Sequence, residues 1–168
     1  MDREWWGHFV NDRRRRDARV STWLSAIVVV VLGISAGAML AEGAVLVPYW
    51  RSLPAADFLR WFADNEPRLV GFYGPLELIA AAFTMTAAAL SAFHRRRGAG
   101  LLAVSALFVV GVLALYPIYF RAVNASFVAG TIDVANLPAE LVRWGSWQWL
   151  RIALGIGALI AAVAAVLA

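Results

Sequence analysis

The sequence predicts an all-α integral membrane protein, a bundle of four transmembrane helices with two longer extracytoplasmic loops. Hydrophobic residues make up 62% of the 168 residues, whereas an average soluble domain is roughly 45–50% apolar. Four apolar stretches approach or exceed the roughly 20 residues that a helix needs to cross the hydrocarbon of a bilayer. These stretches, expected to form one domain over residues 22–168, cover residues 22–50, 69–93, 100–120 and 150–168.

The positions of the arginines predict the orientation in the cell membrane. Of the 15 basic residues, all arginine, nine lie in two short segments, residues 1–21 and the loop Arg95–Arg97. Positive charge concentrates on the cytoplasmic side of short loops. We therefore expect both termini in the cytoplasm, with loops 51–68 and 121–149 outside.

The basic N-terminal segment is interpreted as a topology anchor that contacts anionic lipid headgroups. A net charge of +4 raises the alternative of nucleic-acid binding, but a short run of charges is usually a solvated surface. Membrane lipids are the expected partners, and no specific nucleic-acid partner is predicted. Association with further copies of the chain is left open.

The two predicted outer loops resemble each other in sequence. The first contains "PYWR" and "LPAADFLRWF", and the second "PIYFR" and "LPAELVRW". Proline suits the first turn of a helix, and an acidic residue there favours the helix dipole. We expect a short interfacial helix from Pro54 to about Asp64, with Phe58, Trp61 and Phe62 on its apolar face. The second copy is expected to run straight into helix four, and an internal repeat of two hairpins remains open.

The third and fourth apolar stretches carry signals for how the helices pack. Gly111 and Pro117 are expected to loosen or kink the third helix near its outer end, where neighbouring groups must satisfy the freed carbonyl. Gly155 and Gly157 lie among alanines in the fourth stretch, and small residues let helix backbones approach closely in lipid. This composition favours a compact bundle over a pore.

Two carboxylates inside the apolar stretches carry most of the functional information. Glu42 lies eight residues before Trp50, and Glu77 lies eight residues after Leu69. At about 1.5 Å per residue, both lie roughly 12 Å below the outer boundary of the membrane. An ionisable group at that depth costs several kcal/mol unless it is paired or protonated. If the two meet, one is expected to keep its proton, because two close like charges cannot both ionise cheaply.

Arg151 is the predicted counter-ion of Glu42 or Glu77, because it lies where helix four enters the bilayer and a guanidinium pairs bidentately with a carboxylate. Trp144 and Gln148, four residues apart, form a neighbouring stripe of this helix. The alternative is that the buried charges only hold the helices in register.

The stretch "RWGSWQWLRIALG" contains three tryptophans, and tryptophans at membrane boundaries are usually anchors. Arg143, Trp147 and Arg151 follow one another at intervals of four and therefore share a helix face. We assign Trp147 to a site on this face. Trp144 and Trp149 are assigned to the membrane interface.

Three stretches resemble the anthrone-oxygenase-like family of small four-helix membrane proteins, which is largely a domain of unknown function. They are "LPAADFLRW", "YFRAVNASF" and "RWGSWQWLR". In that family the third helix typically ends in Asn, matched here by Asn124. The fourth opens with Trp-Asn-x-Leu-Arg, matched by Trp147, Leu150 and Arg151, while Gln148 stands in place of the usual Asn.

The resemblance, which covers roughly residues 25–168, implies a cofactor-free oxidoreductase that oxygenates a planar hydrophobic aromatic substrate such as an anthrone. Glu42 or Glu77 would remove a proton from the substrate, and Arg151 would stabilise the developing oxyanion. Side chains near the outer ends of helices three and four would bind the substrate. The substrate-binding candidates are Tyr119, Asn124, Trp147 and Gln148.

The cofactor signatures that a single sequence can reveal are largely missing. The two histidines, His8 and His94, fall on the predicted cytoplasmic side, which argues against haem or copper, and no GxGxxG, P-loop or HExxH pattern occurs. The lack of cysteine excludes a thiol-based redox enzyme. No metal or other cofactor is predicted.

Two classes of function therefore stay open, a membrane-embedded oxygenase and a non-catalytic protein such as a small carrier, a lipid-binding protein or an accessory subunit. A carrier needs a polar path through both leaflets. A pocket that ends at Glu42 and Glu77 would instead favour an enzyme or a ligand binder.

Overall fold

The computed structural model describes residues 23–168, which form four long helices. They are α1 (Trp23–Ser52), α2 (Ala55–Phe93), α3 (Ala99–Val128) and α4 (Leu137–Leu167). Each is long and apolar enough to cross a membrane, and the described residues contain no strand. The expected all-α four-helix membrane bundle is confirmed, and the chain is a multi-pass membrane protein.

The basic segment 1–21 and Thr22 lie outside the described residues. The predicted cytoplasmic position of His8 therefore also lies outside them.

We call the end of the bundle where α1 meets α2 and α3 meets α4 the aromatic end. The opposite end, where His94–Gly98 joins α2 to α3, is the arginine end. Gly98 there has a φ of 79°, and a Cβ on it would lie 2.6 Å from the carbonyl oxygen of Ala165. This turn therefore requires glycine.

The expectation of a separate interfacial helix before the second membrane span is wrong. Leu53 is extended, Pro54 precedes the helix, and α2 then runs unbroken through Pro67 and Pro75. The stretch predicted to lie flat is instead the first part of a helix of 39 residues. The prolines lack an N–H, but neighbouring groups in a bundle can satisfy the freed carbonyls.

The physical reason is a buried aromatic cluster at the aromatic end. Phe58 and Phe62 are both buried and pack against Trp50 and Phe127, with ring centroids 5.1 to 6.1 Å apart. Edge-to-face pairs at such distances add to the stabilisation that burial gives. The first turns of α2 are therefore held against α1 and α3.

Helix α3 continues past its predicted end at residue 120, to Val128, and changes to π-helical form at Tyr116–Phe120. Pro117 lies at the start of this segment, where its missing N–H favours a local departure from the α-helical pattern. The expectation that α3 loosens near this end is confirmed. This extension, together with the start of helix four at Leu137 and not at the predicted residue 150, shortens the predicted loop 121–149 to residues 129–136.

Helix α4 begins at Leu137, with Pro138 in its first turn. The second Leu-Pro-Ala stretch therefore runs directly into helix four, as expected. Within the bundle, α3 packs against both α2 and α4. At the buried α3–α4 contact the Ser105 hydroxyl donates a hydrogen bond of 2.8 Å to the carbonyl oxygen of Ala158.

Candidate ligand site

Three ionisable side chains from three different helices meet inside the bundle. The Arg151 guanidinium of α4 pairs with Glu77 of α2 through Nη2, and its Nη1 lies 3.6 Å from Oε2 of Glu42 on α1. Glu42 and Glu77 are only 4% and 9% exposed. We call these three residues the ion cluster. The structure thus brings together the carboxylates and the arginine that the sequence indicated.

Gln148 ties the ion cluster to the backbone of α1. Its Nε2 donates to Oε2 of Glu42 at 2.9 Å and to the carbonyl oxygen of Met39 at 3.0 Å, and its Oε1 accepts a bond of 3.2 Å from Arg151. The side chain is fully buried. Each polar group of this amide therefore has a partner, as a buried amide requires.

Two aromatic rings flank the arginine. Its Cζ lies 5.7 Å from the ring centroid of Tyr73 and 5.5 Å from that of Phe120, within the range of cation–π attraction. The Tyr73 hydroxyl in turn donates to the carbonyl oxygen of Ala38 at 3.3 Å. Ion pairs, hydrogen bonds and rings together fix the position of the Arg151 guanidinium.

A π-helical segment of α1, Glu42–Leu46, places Glu42 in this cluster. Such segments often occur at functional sites because the extra residue per turn redirects side chains. Within it, Gly43 allows α4 to approach, since a Cβ would lie 2.6 Å from Cδ1 of Ile152 and 3.5 Å from Cγ of Gln148. The close approach of α1 and α4 therefore depends on a residue without a side chain.

A cavity of about 370 Å³ lies mainly between α2 and α3 and ends at the ion cluster. This volume is within the range of about 300–1,000 Å³ that is typical of small-molecule sites. Polar groups reach it from Glu66 and Asn124 besides the cluster. The aromatic residues in its lining are Phe62, Tyr73, Tyr116, Phe120 and Trp144.

The cavity opens sideways, on the face of the bundle that lipid would cover. Val70, Leu78 and Tyr116 line it and are also exposed, Leu78 to 63%. On the far side of Glu77 the helices leave a gap of only about 10 Å³, next to Met39, which is room for about one water. The cavity therefore ends at the ion cluster.

Asn124 and Trp144 both belong to the lining, and the Trp144 indole N–H donates to Oδ1 of Asn124 at 3.0 Å. Trp144 is 2% exposed, so its assignment to the membrane interface is wrong. Its neighbour Trp149 is 52% exposed, which suits an interface residue. The inward face of α4 carries Trp144, Gln148 and Arg151, at helical spacings of four and three.

Trp147 and Tyr119 do not line the cavity, so the structure separates them from the site to which they were assigned. The two rings stack on each other, with centroids 5.0 Å apart and planes 15° apart. The Tyr119 hydroxyl donates to Oε1 of Glu140 at 2.6 Å, and Arg143 lies over the Tyr119 ring at 5.5 Å. The Tyr119 hydroxyl and the two stacked rings therefore have partners within the protein.

Three residues that sequence reasoning did not assign to the site, Phe62, Glu66 and Tyr73, lie on the same face of α2 as the predicted Glu77. All four line the cavity, and they follow one another at spacings of four, seven and four. Counting back from Glu77 at helical spacing would have identified them. The expected break before Leu69 hid this pattern.

Comparison with known proteins adds no relative: searches of family models, curated proteins and solved structures found no match for this chain. Across residues 23–168, no three His, Cys, Asp or Glu side chains converge to form a candidate metal site.

Proposed function

We propose that the protein takes up a hydrophobic aromatic small molecule from the outer leaflet of the cell membrane and binds it in the cavity between α2 and α3. The observation that supports this most is that the cavity opens on the lipid-facing side and ends at a buried polar cluster. A ligand dissolved in lipid can enter sideways, and mostly apolar walls with a few polar groups are typical of small-molecule sites.

The arginine distribution supports the proposed outer-leaflet position. Arg95, Arg96 and Arg97 lie at the arginine end, and short basic loops favour the cytoplasm. The cavity lies toward the opposite end of the bundle. With four spans, both termini are then cytoplasmic.

A glycine in the cavity wall offers a direct test of ligand binding. A Cβ at Gly74 meets nothing within 4 Å, so Gly74→Leu would fill the cavity with little effect on folding. Gly71, three residues earlier, also has open space around it but does not line the cavity, so Gly71→Leu is the matched control. We expect Gly74→Leu to weaken binding of a neutral aromatic probe, 9-anthracenemethanol, by about tenfold or more, roughly 1.4 kcal/mol.

Binding is measured in nanodiscs by quenching of tryptophan fluorescence, because Trp144 lies in the cavity wall. Gly71→Leu should bind the probe as the wild type does. Equal affinities of the wild type and Gly74→Leu would contradict the cavity as the binding site.

Oxygenation of an anthrone-like substrate is the second candidate function. It is favoured by the carboxylates and the arginine at the closed end of the cavity, together with the sequence resemblance. A carboxylate, Glu42 or Glu77, would accept a proton from the substrate methylene, and Arg151 would stabilise the oxyanion. The carbanion bonds to O₂ as a peroxide, and loss of the second methylene proton cleaves the O–O bond. The products are a carbonyl and one water, so the atoms of substrate and O₂ are all accounted for.

Oxygen uptake by the purified protein with a panel of anthrones tests this reaction. We expect uptake above the autoxidation of the substrate in the wild type and its loss in Arg151→Leu and in one of Glu42→Gln and Glu77→Gln, each measured under conditions in which circular dichroism shows the variant to be folded. Uptake no greater than autoxidation would remove the oxygenase proposal for these substrates. Binding without uptake would favour the non-catalytic alternative, such as a lipid-binding or accessory protein.

A further inference from the structure

More acidic than basic side chains line the cavity. Among residues 23–168, Glu42, Glu66 and Glu77 contribute carboxyls to the lining, and Arg151 contributes the single guanidinium. Arg151 is already engaged by Glu42 and Glu77. Even if those two carboxyls share one proton, so that the ion cluster is neutral, Glu66 leaves the lining with an excess of negative charge.

Within the described part of the chain, Glu66 is the carboxylate of this lining that has no partner of its own. Among residues 23–168 its carboxylate forms no ion pair or hydrogen bond, although it is only partly exposed. Arg68, two residues further along α2, donates instead to Oδ1 of Asn65 at 3.2 Å. A ligand group in the cavity is therefore free to pair with Glu66.

The aromatic walls of the cavity also favour a positively charged ligand. Tyr73 and Phe120 already contact one cation, the Arg151 guanidinium. Phe62, Tyr116 and Trp144 also line the cavity, and the negative faces of such rings attract a cation that lies over them. Aromatic walls beside an unpaired carboxylate suit an ammonium group on an apolar body.

The position of Glu66 suits the orientation of an amphiphile. Glu66 lies one helical turn outward of Leu69, where the sequence places the membrane boundary, and 11 residues from Glu77. At 1.5 Å per residue this separation is about 16 Å along α2. A ligand could keep its charged end near the headgroups while its apolar body extends toward the ion cluster.

We propose that the cavity selects hydrophobic aromatic amines in their cationic form, and that Glu66 is the residue that sets this preference. The inference rests on the ligand pocket of the proposed function and is independent of the oxygenase reaction.

Three probes that share one ring system and differ in charge test this selection. They are 9-(aminomethyl)anthracene, which is cationic at neutral pH, 9-anthracenemethanol and 9-anthracenecarboxylate. Binding is measured in nanodiscs of zwitterionic lipid, with protein-free nanodiscs to subtract partitioning into lipid. We expect the cation to bind about tenfold more tightly than the alcohol, and the carboxylate to bind most weakly.

Glu66→Gln should abolish the preference for the cation, so that the cation and the alcohol bind with similar affinity. Glu66→Lys, a second variant at the same partly exposed position, should shift the preference toward the carboxylate. Asp64→Asn is the matched control, because Asp64 is an exposed acid on the same helix that does not line the cavity, and it should keep the wild-type preference.

The outcomes separate this inference from the proposed function. Equal affinities for the three probes, or tightest binding of the carboxylate, would overturn the charge selection and leave the pocket in place. A cation preference that survives in Glu66→Gln would overturn the role of Glu66. If none of the probes bound to the wild type, the pocket itself would be wrong and this inference would fail with it.

Discussion

At the scale of single residues, Arg151 supplies the positive charge that compensates two acidic side chains buried inside the bundle. It pairs with Glu77, lies 3.6 Å from Glu42 and donates a hydrogen bond to Oε1 of Gln148. A buried ion group of this kind contributes little net stability compared with apolar residues of the same size, but removing one partner is expensive. The cluster is therefore a weak source of stability and a strong constraint on which residues can change.

Arg151→Leu should destabilise the protein by about 3–5 kcal/mol, because it leaves two buried carboxyls without their cation. Unfolding of the purified protein in mixed micelles, followed by circular dichroism, measures this change. Arg143→Leu is the control on the same helix, since Arg143 is exposed, and should cost less than about 1 kcal/mol. Combining Arg151→Leu with Glu42→Gln and Glu77→Gln should recover part of the lost stability. Equal stability of Arg151→Leu and the wild type would contradict this account.

At the scale of helices, α1 and α4 approach closely because the π-helical segment of α1 places Gly43 against α4. The fit depends on Ile152, whose Cδ1 occupies the space that a side chain at Gly43 would need. The approach also brings Gln148 within hydrogen-bonding distance of Glu42 and Met39. Helix packing at this point therefore determines the geometry of the ion cluster.

Gly43→Ala should destabilise the protein by about 1–3 kcal/mol, the usual effect of overpacking. Adding Ile152→Val, which removes the obstructing Cδ1, should restore much of the stability. Gly37→Ala, on the same helix, is the control: its Cβ would meet nothing within 4 Å, and alanine favours a helix over glycine. The same unfolding measurement applies, and failure of Ile152→Val to rescue Gly43→Ala would contradict the proposed contact.

At the scale of the whole molecule, the bundle has two chemically different ends. The aromatic end holds a buried cluster around Trp50 and Trp144 and the cavity beside it. The arginine end holds Arg95–Arg97 in a short loop, above a core rich in small residues such as Ala158 and Ala162. This asymmetry is what orients the protein in the proposed topology.

The absence of native cysteine makes this topology easy to test with single cysteine variants. Thr131→Cys at the aromatic end should react with a membrane-impermeant maleimide in intact cells, because the residue is exposed and lies outside in the proposed orientation. Arg97→Cys at the arginine end should react only after the membrane is permeabilised. The reverse pattern would show that the orientation is inverted and that the cavity belongs to the inner leaflet.

The sequence by itself determined the fold class and the ion cluster. Four apolar stretches of sufficient length have few stable alternatives to membrane-spanning helices, because hydrocarbon cannot satisfy an exposed backbone. Glu42, Glu77 and Arg151 stood out because charges are expensive inside such stretches. Both conclusions rest on solvation, which depends on residue type and position along the chain.

Only the tertiary structure decided which aromatic residues face the cavity. Trp144 and Trp147 differ by three positions, and sequence spacing does not fix the rotation of α4 that turns Trp144 inward and leaves Trp147 on Tyr119. The role of Glu66 was likewise hidden, because α2 continues through Pro67 only where the surrounding helices hold its first turns. Helix rotation and helix continuity arise from packing between elements, and the pattern of residues within one element does not contain that information.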